Sequence, residues 1–495
     1  MLYEINLNRK MEKEEYKEKI EPLKKKLETL AVRVREEKLP VIILFEGFGA
    51  AGKGSMISKL IDNLDPRGFS VHTIAKPTDT ELRMPPMWRY WNTIPQYGQI
   101  SIMDRSWYRD VSVDSVDDFE RDEAVEQNLE DIRCFERQLV DGGYLILKFF
   151  LQISKAEQKK RFEKLEASDL TKWRVTKEDW RHNREYDKHL KAFDEMIEST
   201  SVSFAPWTVV ESTDKRYAFE KVLRHVVEQI ESALEERKRG NWGKQPVLPR
   251  DFGLVKTPLL SEIDLNRSAE EERYKKELKR YQERLGELHN ELYLRKIPMI
   301  IAYEGWDAAG KGGNIKRVTK ALDPRGYEVV PIAAPTKIEL EHHYLWRFWN
   351  DLPKSGHITI FDRSWYGRVM VERIEGFCSE EDWRHAYREI NEFERYLYQS
   401  GMLVMKFWLH IDKEEQLRRF TKRQNTPEKQ WKITGEDFRN REKWDQYEVA
   451  VNEMLQKTNT ENCPWYIIES NDKPYARLKA MRKITEYVER HLKFL

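Results

Sequence analysis

A glycine-rich loop that ends in lysine occurs at residues 303–313, YEGWDAAGKGG, directly after an apolar run. It fits the G-x-x-x-x-G-K pattern of a phosphate-binding loop, in which glycines let backbone N–H groups approach phosphate oxygens. The helix expected to follow adds the partial positive charge of its N-terminus. The alternative is a glycine turn with a chance lysine. The predicted phosphate-binding residues are Gly305, Gly310, Lys311, Gly312 and Gly313.

The loop lacks the hydroxyl that usually helps to hold Mg²⁺, because Gly312 stands where Ser or Thr is common. Asp307, inside the loop, is the natural replacement, since a carboxylate there would repel phosphate unless a cation lay between them. A second carboxylate, Asp362, ends the apolar run HITIFD and is followed by Arg363. The alternative for Asp362 is a turn-capping residue. The pattern favours Mg²⁺-dependent phosphoryl transfer, with Asp307 and Asp362 as metal ligands.

A basic segment follows a later apolar run, with Arg418, Arg419, Lys422 and Arg423 within about one and a half helical turns. Arginine neutralises charge in phosphoryl transfer, and nucleoside monophosphate kinases carry a mobile arginine lid for this purpose. A solvated basic helix face explains the run equally well. Residues 425–427 are expected to break the helix at the tip of a lid.

The aromatic residues Trp346, Phe348 and Trp349 have helical spacing. This spacing is typical of packing in a core, and base stacking is the minority interpretation. We find no His/Cys spacing typical of a metal site and no arrangement that indicates a Ser-His-Asp triad.

The chain carries one sequence unit twice. Lys311 stands 258 positions after Lys53, and Asp362 stands 258 positions after Asp104. A stretch rich in Gly, Pro and charge, residues 236–258, reads as a linker. We therefore predict two domains, residues 1–250 and 251–495.

Each unit alternates helical and strand-like segments. Long charged stretches with helical spacing come first, and short apolar runs that read as buried parallel strands follow, separated by charged helices. Such alternation predicts an α/β sandwich with a parallel sheet. The expected helices are 9–38, 53–64, 268–296 and 311–322, and the expected strands include VIILFEG, SVHTIA, QISIMD, MIIAYEG, EVVPIA, HITIFD and LVMKFWLHI.

The composition narrows the class of protein. Lys plus Arg number 87 against 86 Asp plus Glu, a balance that argues against a protein made mainly to coat nucleic acid. The 3 Cys form no CxxC pair, which fits a reducing compartment. We see no signal core and no apolar run as long as a membrane span. The expectation is a cytoplasmic protein without membrane or nucleic-acid partner.

Several motifs together resemble the polyphosphate kinase 2 family: EGWDAAGKGG, DPRGY, YLWRFW, FDRSWYGRVMVER and QWKIT, over most of both halves. Two fused units look like the subgroup that transfers a phosphoryl group from inorganic polyphosphate to AMP, giving ADP. The resemblance implies a P-loop kinase-like α/β/α sandwich with a helical lid, and Mg²⁺ as cofactor.

By position, the resemblance implies that Lys311 and the loop amides bind the transferring phosphate. It implies that Arg363, Arg419 and Arg423 stabilise charge or grip the polyphosphate chain. Glu372, and Arg368 near it, would lie on the nucleotide side. Further basic residues that could line a polyphosphate path are Lys316, Arg317, Arg325 and Lys432.

The two units are unequal at the predicted site. The first keeps the loop lysine, Asp104 and Arg105, but has Gly49 opposite Asp307 and Leu165 opposite Arg423. Its counterpart of Glu372 is Asp114. We therefore expect residues 251–495 to catalyse and residues 1–250 to be non-catalytic.

The residues alone leave alternatives. An ATP-dependent nucleoside monophosphate kinase and a polyphosphate:ADP kinase that forms ATP use the same chemistry. A nucleotide-binding scaffold without turnover is the alternative from another class. The oligomeric state is open, and a homo-oligomer is compatible with the sequence.

Overall fold

The structure is a computed structural model that describes residues 1–112, 122–240, 242, 250–433 and 435–493. The chain forms two compact units. The first comprises Met1–Lys76, Arg89–Pro246 and Lys337–His343, and the second comprises Pro77–Trp88, Val247–Thr336 and Tyr344–Leu495. Each unit thus includes a short stretch from the other half of the sequence. Residues 241 and 243–249 of the predicted linker, and Asp114, lie outside the described residues.

The described residues of the first half form five strands and nine α-helices. The strands are β1 (Val41–Gly47), β2 (Phe69–Thr73), β3 (Ile100–Asp104), β4 (Leu145–Gln152) and β5 (Trp207–Glu211). The helices are α1 (Lys13–Glu36), α2 (Lys53–Ile61), α3 (Trp88–Trp91), α4 (Arg109–Ser112), α5 (Asp122–Asp141), α6 (Lys155–Glu166), α7 (Lys177–Arg184), α8 (Tyr186–Thr200) and α9 (Lys215–Lys238).

The second half repeats this order. Its strands are β6 (Met299–Gly305), β7 (Tyr327–Pro331), β8 (Ile358–Asp362), β9 (Leu403–His410) and β10 (Trp465–Glu469). Its described helices are α10 (Glu271–Leu294), α11 (Lys311–Thr319), α12 (Lys337–Leu340), α13 (Trp346–Asn350), α14 (Val371–Glu375), α15 (Glu380–Gln399), α16 (Lys413–Gln424), α17 (Gly435–Glu442), α18 (Trp444–Thr458) and α19 (Lys473–Leu492). Short 3₁₀ helices cover Trp365–Val369 and Pro427–Lys432.

Each unit is built on five parallel strands with the same order, β2-β3-β1-β4-β5 in one and β7-β8-β6-β9-β10 in the other. The central strand β6 pairs Tyr303 with Asp362 on β8 and Gly305 with Leu409 on β9. The carboxyl ends of these strands therefore meet at one edge of the sheet, where ligands bind in open α/β folds. The predicted α/β class with parallel sheets and a duplicated unit is confirmed.

The hydrophobic pattern explains these elements. β9 is buried along its whole length, as expected for a strand covered on both faces. The predicted helices after the two glycine loops exist but end about one turn early, at Ile61 and Thr319. Phe348 and Trp349 are buried, and Trp349 packs against the ring of Phe393, so the core interpretation is confirmed for these two residues. Trp346 is half-buried.

A buried ionic cluster fixes the segment after β8. The ammonium of Lys406 on β9 donates to the Tyr366 hydroxyl at 2.9 Å, to Glu394 at 2.5 Å and to the Thr458 carbonyl at 2.7 Å. Glu394 also accepts from the Trp365 indole at 3.0 Å. A buried charge is tolerated only when it is paired and hydrogen-bonded. The cluster therefore holds the residues that follow Asp362 against the sheet.

Candidate active site

The glycine loop joins the end of β6 to the start of α11. Gly305 has a φ of 149° and Gly310 a φ of 111°, conformations that side chains disfavour. A Cβ on Gly305 would lie 2.6 Å from the Leu409 carbonyl oxygen, so no other residue fits there. A Cβ on Gly312, by contrast, would have no neighbour within 4 Å. The missing hydroxyl at that position is therefore not a consequence of crowding.

Replacing Gly305 by Ala should destabilise the second unit, because the new methyl group must displace the backbone of β9. We expect a loss of about 2 kcal/mol or more in unfolding free energy. Gly312→Ala is the matched control, and in a helical first turn it should be neutral or stabilising by about 0.5–1 kcal/mol. Thermal unfolding midpoints of the two variants check this, and equal midpoints would contradict it.

Lys311 folds back over the loop, where its ammonium donates to the Gly305 carbonyl at 2.7 Å. Burial, reinforced by the Arg363 guanidinium, lowers the pKa of this lysine, while Asp307 and Asp362 oppose the shift. An anionic phosphate in the loop would favour the charged form of the lysine. The lysine is thus placed to pair with a phosphate bound in the loop.

The two predicted metal ligands flank Arg363. Its guanidinium pairs with the Asp307 carboxylate at 3.1 Å, and its backbone has a left-handed φ of 68°. Such strain at a non-glycine residue is typical of functional sites. In the described part of the chain, no hydrogen bond reaches the Asp362 carboxylate. The structure thus brings both carboxylates and Arg363 to one cavity, with the Asp362 oxygens available to a ligand.

Arg419 has a different environment from the one that the resemblance implies. It is 3% exposed, and all its N–H groups meet protein acceptors. Nη1 donates to the carbonyls of Ala308 and Ala309, both at 2.9 Å, and Nη2 donates to those of Ser470 and Asn471 at 2.5 and 3.0 Å, while Nε pairs with Glu415. This arginine clamps the back of the glycine loop to the end of β10.

The site residues line a cavity of about 770 Å³ in the second unit. Lys422 and Arg423, from the end of α16, reach it as predicted for the basic segment, whereas Arg418 pairs with Glu415 outside it. The helix breaks at 425, where the sequence predicts the lid tip. The basic lining residues are Lys311, Lys316, Arg317, Arg363, Arg419, Lys422, Arg423, Lys473 and Arg477, and the acidic ones are Asp307, Asp362 and Asp437.

Sequence reasoning missed Lys473 and Arg477, which lie in the first turns of α19 after the last strand. Burial, with help from the Arg419 charge, lowers the pKa of Lys473 to about 8. The available signal was a basic pair at helical spacing after a strand end. Arg325 is not among the lining residues and pairs with Asp323 at 2.7 Å on the surface. The side chain of Lys432 lies outside the described residues.

The predicted nucleotide-side pair lies apart from the cavity lining. Arg368 donates to Glu372 at 2.6 Å and stacks over the Tyr344 ring at 4.4 Å. The glutamate, with other negative groups, outweighs burial and raises the pKa of Arg368. The two residues neutralise each other in this structure.

Glu304, at the end of β6, is a buried acid that the sequence analysis did not single out. It is 4% exposed and accepts from the Ser364 hydroxyl at 2.8 Å, which links the glycine loop to the segment after β8. Burial raises the pKa of Glu304 to about 7, against the opposing effects of Lys311 and Arg363.

This raised pKa should make stability depend on pH. The folded state favours the neutral form of the Glu304 carboxyl. Its contribution to folding stability is therefore fully present below pH 4.5 and is lost as the pH rises through about 7. In Glu304→Gln, the loss of unfolding free energy over this pH range should be smaller by up to roughly 3 kcal/mol, since each pKa unit corresponds to about 1.4 kcal/mol. Unfolding midpoints between pH 5 and 8 measure it. A variant with the slope of the parent would disprove the assignment.

The first unit has the same loop geometry with fewer charges. Lys53 donates to the Gly47 carbonyl at 2.8 Å, as Lys311 does to Gly305. A Cβ on Gly49 would lie 3.1 Å from the Asp179 carboxylate, so another acid occupies the space beside this residue. Where the second cavity has Lys316, Arg423 and Arg477, the first unit has Ser58, Leu165 and Phe219.

Within the described ranges, no three His, Cys, Asp or Glu side chains form a cluster that could hold a metal ion without other ligands. None of the described helices is long and apolar enough to cross a membrane.

The site has the features of a P-loop phosphotransferase: a strand, glycine loop and helix in sequence, an acid that ends the neighbouring strand, and a basic cavity. The chain belongs to the polyphosphate kinase 2 family, whose sequence model matches residues 10–238 and 268–494. It is 40% identical over 491 residues to a polyphosphate:AMP phosphotransferase of Pseudomonas aeruginosa, covering 99% of both chains. It is also 40% identical over 214 residues to an ADP-polyphosphate phosphotransferase of that organism, covering 43% of this chain and 70% of the relative.

A solved structure titled as a polyphosphate kinase 2 from Pseudomonas aeruginosa PA01 is similar over the whole chain. It aligns with a TM-score of 0.87 at 39% identity and covers 100% of this chain and 99% of its own. The duplicated architecture is therefore common to both proteins.

Proposed function

We propose that this chain transfers a phosphoryl group from inorganic polyphosphate to AMP, forming ADP, and that the second unit carries the reaction. The observation that carries the proposal is the cavity around Lys311, where nine basic side chains face three acidic ones. An extended polyanion needs such a spread of positive charge, since each phosphate along it must be neutralised. All five N–H groups of Arg419 are bonded to protein acceptors, so we propose the other basic residues for the donor and the reaction.

Mg²⁺ fits the residues that are present. Magnesium in phosphoryl-transfer sites is held by one or two carboxylates together with substrate phosphates and water. Asp307 and Asp362 supply that number of carboxylates, and within the described part of the chain the Asp362 carboxylate accepts no hydrogen bond. We propose that these two residues hold the ion, in place of the hydroxyl that Gly312 lacks. When bound, it would neutralise charge on the phosphate oxygens.

The chain's own groups are arranged for in-line transfer. The loop amides and Lys311 hold the terminal phosphoryl group, and Arg363 stands beside it to neutralise charge. A phosphate oxygen of AMP forms the new P–O bond as the P–O bond to polyphosphate breaks, which shortens the donor by one unit. Neither a covalent enzyme intermediate nor a general base is needed, because the acceptor oxygen is already anionic. Arg423, Lys473 and Arg477 are proposed to hold the donor chain.

AMP as acceptor is supported by the name of the Pseudomonas aeruginosa relative that matches this chain end to end. Arg368 and Glu372 stay proposed for the nucleotide side, and binding would require the nucleotide to compete for their ion pair. The first unit is proposed to be non-catalytic, because it lacks the loop carboxylate. With a nucleotide and an inorganic polyanion as substrates, we place the activity in the cytoplasm, without nucleic-acid or membrane partner.

The proposal is tested by supplying the full chain with Mg²⁺ and defined pairs of substrates. ADP should form from AMP and polyphosphate without ATP. A chain that phosphorylates AMP only when ATP is the donor would be a nucleoside monophosphate kinase. A chain that converts ADP to ATP but leaves AMP unchanged would be a polyphosphate:ADP kinase. Nucleotide binding without any product would indicate a scaffold.

A further inference from the structure

Asn440, on α17, contacts the proposed metal ligand in the glycine loop. Its side-chain amide donates to one carboxylate oxygen of Asp307 at 2.9 Å, while the Arg363 guanidinium pairs with the other oxygen at 3.1 Å. The carboxylate is thus held at both ends, and each oxygen retains a lone pair for another ligand. A hydrogen bond to a charged acceptor is stronger than a neutral one, so this contact orients the carboxylate effectively.

The helix that carries Asn440 is itself fixed against the loop. Gln416 donates to the Asp307 backbone carbonyl at 3.1 Å, and Arg441 donates to the Gln416 side chain at 3.3 Å. The indole of Trp306 stacks on that of Trp444, with centroids 3.7 Å apart and planes 10° from parallel. α17 is therefore held near the loop by the bond from Arg441 to Gln416 on α16 and by Trp444 at the start of α18, and neither contact involves Asn440.

The first unit keeps the packing contacts of the loop but lacks the contact between an amide and a loop carboxylate. Gln158 still donates to the Gly49 carbonyl at 3.1 Å, and Phe48 still stacks on Tyr186 with centroids 4.3 Å apart. The architecture is thus kept, although the loop has lost its carboxylate. At the position of Asn440 the first unit has His182. The amide and the carboxylate are absent together. Asn440 Oδ1 also accepts from the Tyr447 hydroxyl at 3.4 Å, and in the first unit the rings of His182 and His189 take the place of this pair, with centroids 4.4 Å apart. The contact that has no counterpart in the first unit is therefore the one between the amide and the loop carboxylate.

We propose that Asn440 is a positioning residue that orients Asp307 for metal binding and links α17 to the metal site. This role rests on the proposed function of Asp307. Without the amide, the carboxylate can rotate toward Arg363 and form a tighter ion pair, which competes with a divalent cation. The loss should therefore be seen in metal affinity first, and in turnover at saturating metal much less.

The test measures Mn²⁺ binding to the full chain by electron paramagnetic resonance, with polyphosphate present, and the Mg²⁺ dependence of ADP formation. Asn440→Ala should weaken Mn²⁺ binding by about tenfold and raise half-saturating Mg²⁺ similarly, with kcat at saturation within about threefold, as expected for one hydrogen bond to a charged group. Asn440→Gln, which keeps the amide, should recover part of the affinity. His182→Ala is the matched control and should leave the metal affinity unchanged.

A metal affinity unchanged in Asn440→Ala would overturn the proposal, as would a fall in kcat at every Mg²⁺ concentration with the same half-saturation. Adding Asn440→Ala to Asp307→Ala should weaken Mn²⁺ binding no further, and an additional loss would also overturn it. If the chain forms no ADP from AMP and polyphosphate, the proposed function fails, but the Mn²⁺ measurements still decide the role of Asn440.

Discussion

Asp362→Ala is expected to lower kcat for ADP formation by about 10²- to 10³-fold. The carboxylate ends β8 in the cavity with no hydrogen bond in the described part of the chain, so the substitution removes a proposed metal ligand and little else. Loss of several kcal/mol of transition-state charge stabilisation corresponds to that range. Initial rates at saturating AMP and polyphosphate measure it, and the unfolding midpoint should stay close to that of the parent.

Asp104→Ala is the matched control, because Asp104 ends β3 at the corresponding place in the first unit. We expect its rate to stay within about threefold of the parent, since the unit that carries it is proposed to be non-catalytic. A large loss of the rate of ADP formation in Asp104→Ala, together with a small loss in Asp362→Ala, would show that catalysis has been assigned to the wrong half of the chain.

Arg419→Ala should lower both stability and activity. The side chain donates to four backbone carbonyls and to Glu415, and its removal leaves the four carbonyls without this donor, while Glu415 keeps its pair with Arg418. Leaving several buried acceptors without a charged donor costs about 3 kcal/mol or more. Because the glycine loop loses its clamp, we also expect kcat to fall by at least about a hundredfold. Calorimetric unfolding and initial rates are the measurements.

Arg161→Ala gives the comparison, since Arg161 donates to the carbonyls of Ala50 and Ala51 and to those of Ser212 and Thr213 in the first unit. It should destabilise the chain to a similar degree, with a much smaller effect on turnover. An Arg419→Ala protein that unfolds like the parent and loses only polyphosphate affinity would instead support the direct grip that the resemblance implies.

The fold was largely readable from the sequence because its signals are local. Apolar runs such as 299–305 are typical of buried strands, and the glycine and lysine pattern needs a strand before it and a helix after it. The placement of Asp307, Lys311, Asp362 and Arg363 at one cavity follows from the register of β6 and β8.

What could not be read from the sequence depends on contacts between distant segments. Arg419 and Arg423 differ by one helical turn, and only the packing of α16 decides that the former is clamped to carbonyls while the latter lines the cavity. Lys473 and Asn440 join the site from helices far along the chain. The inclusion of 77–88 in the second unit and 337–343 in the first likewise has no local signature.

The account is tested most directly by ADP formation from AMP, Mg²⁺ and polyphosphate, without ATP, in the unmodified chain, Asp307→Ala and Asp104→Ala side by side. We predict that the unmodified chain and Asp104→Ala form ADP at similar rates, and that Asp307→Ala forms ADP at least about a hundredfold more slowly. Asp307→Ala with full activity, beside an inactive Asp104→Ala, would contradict the account.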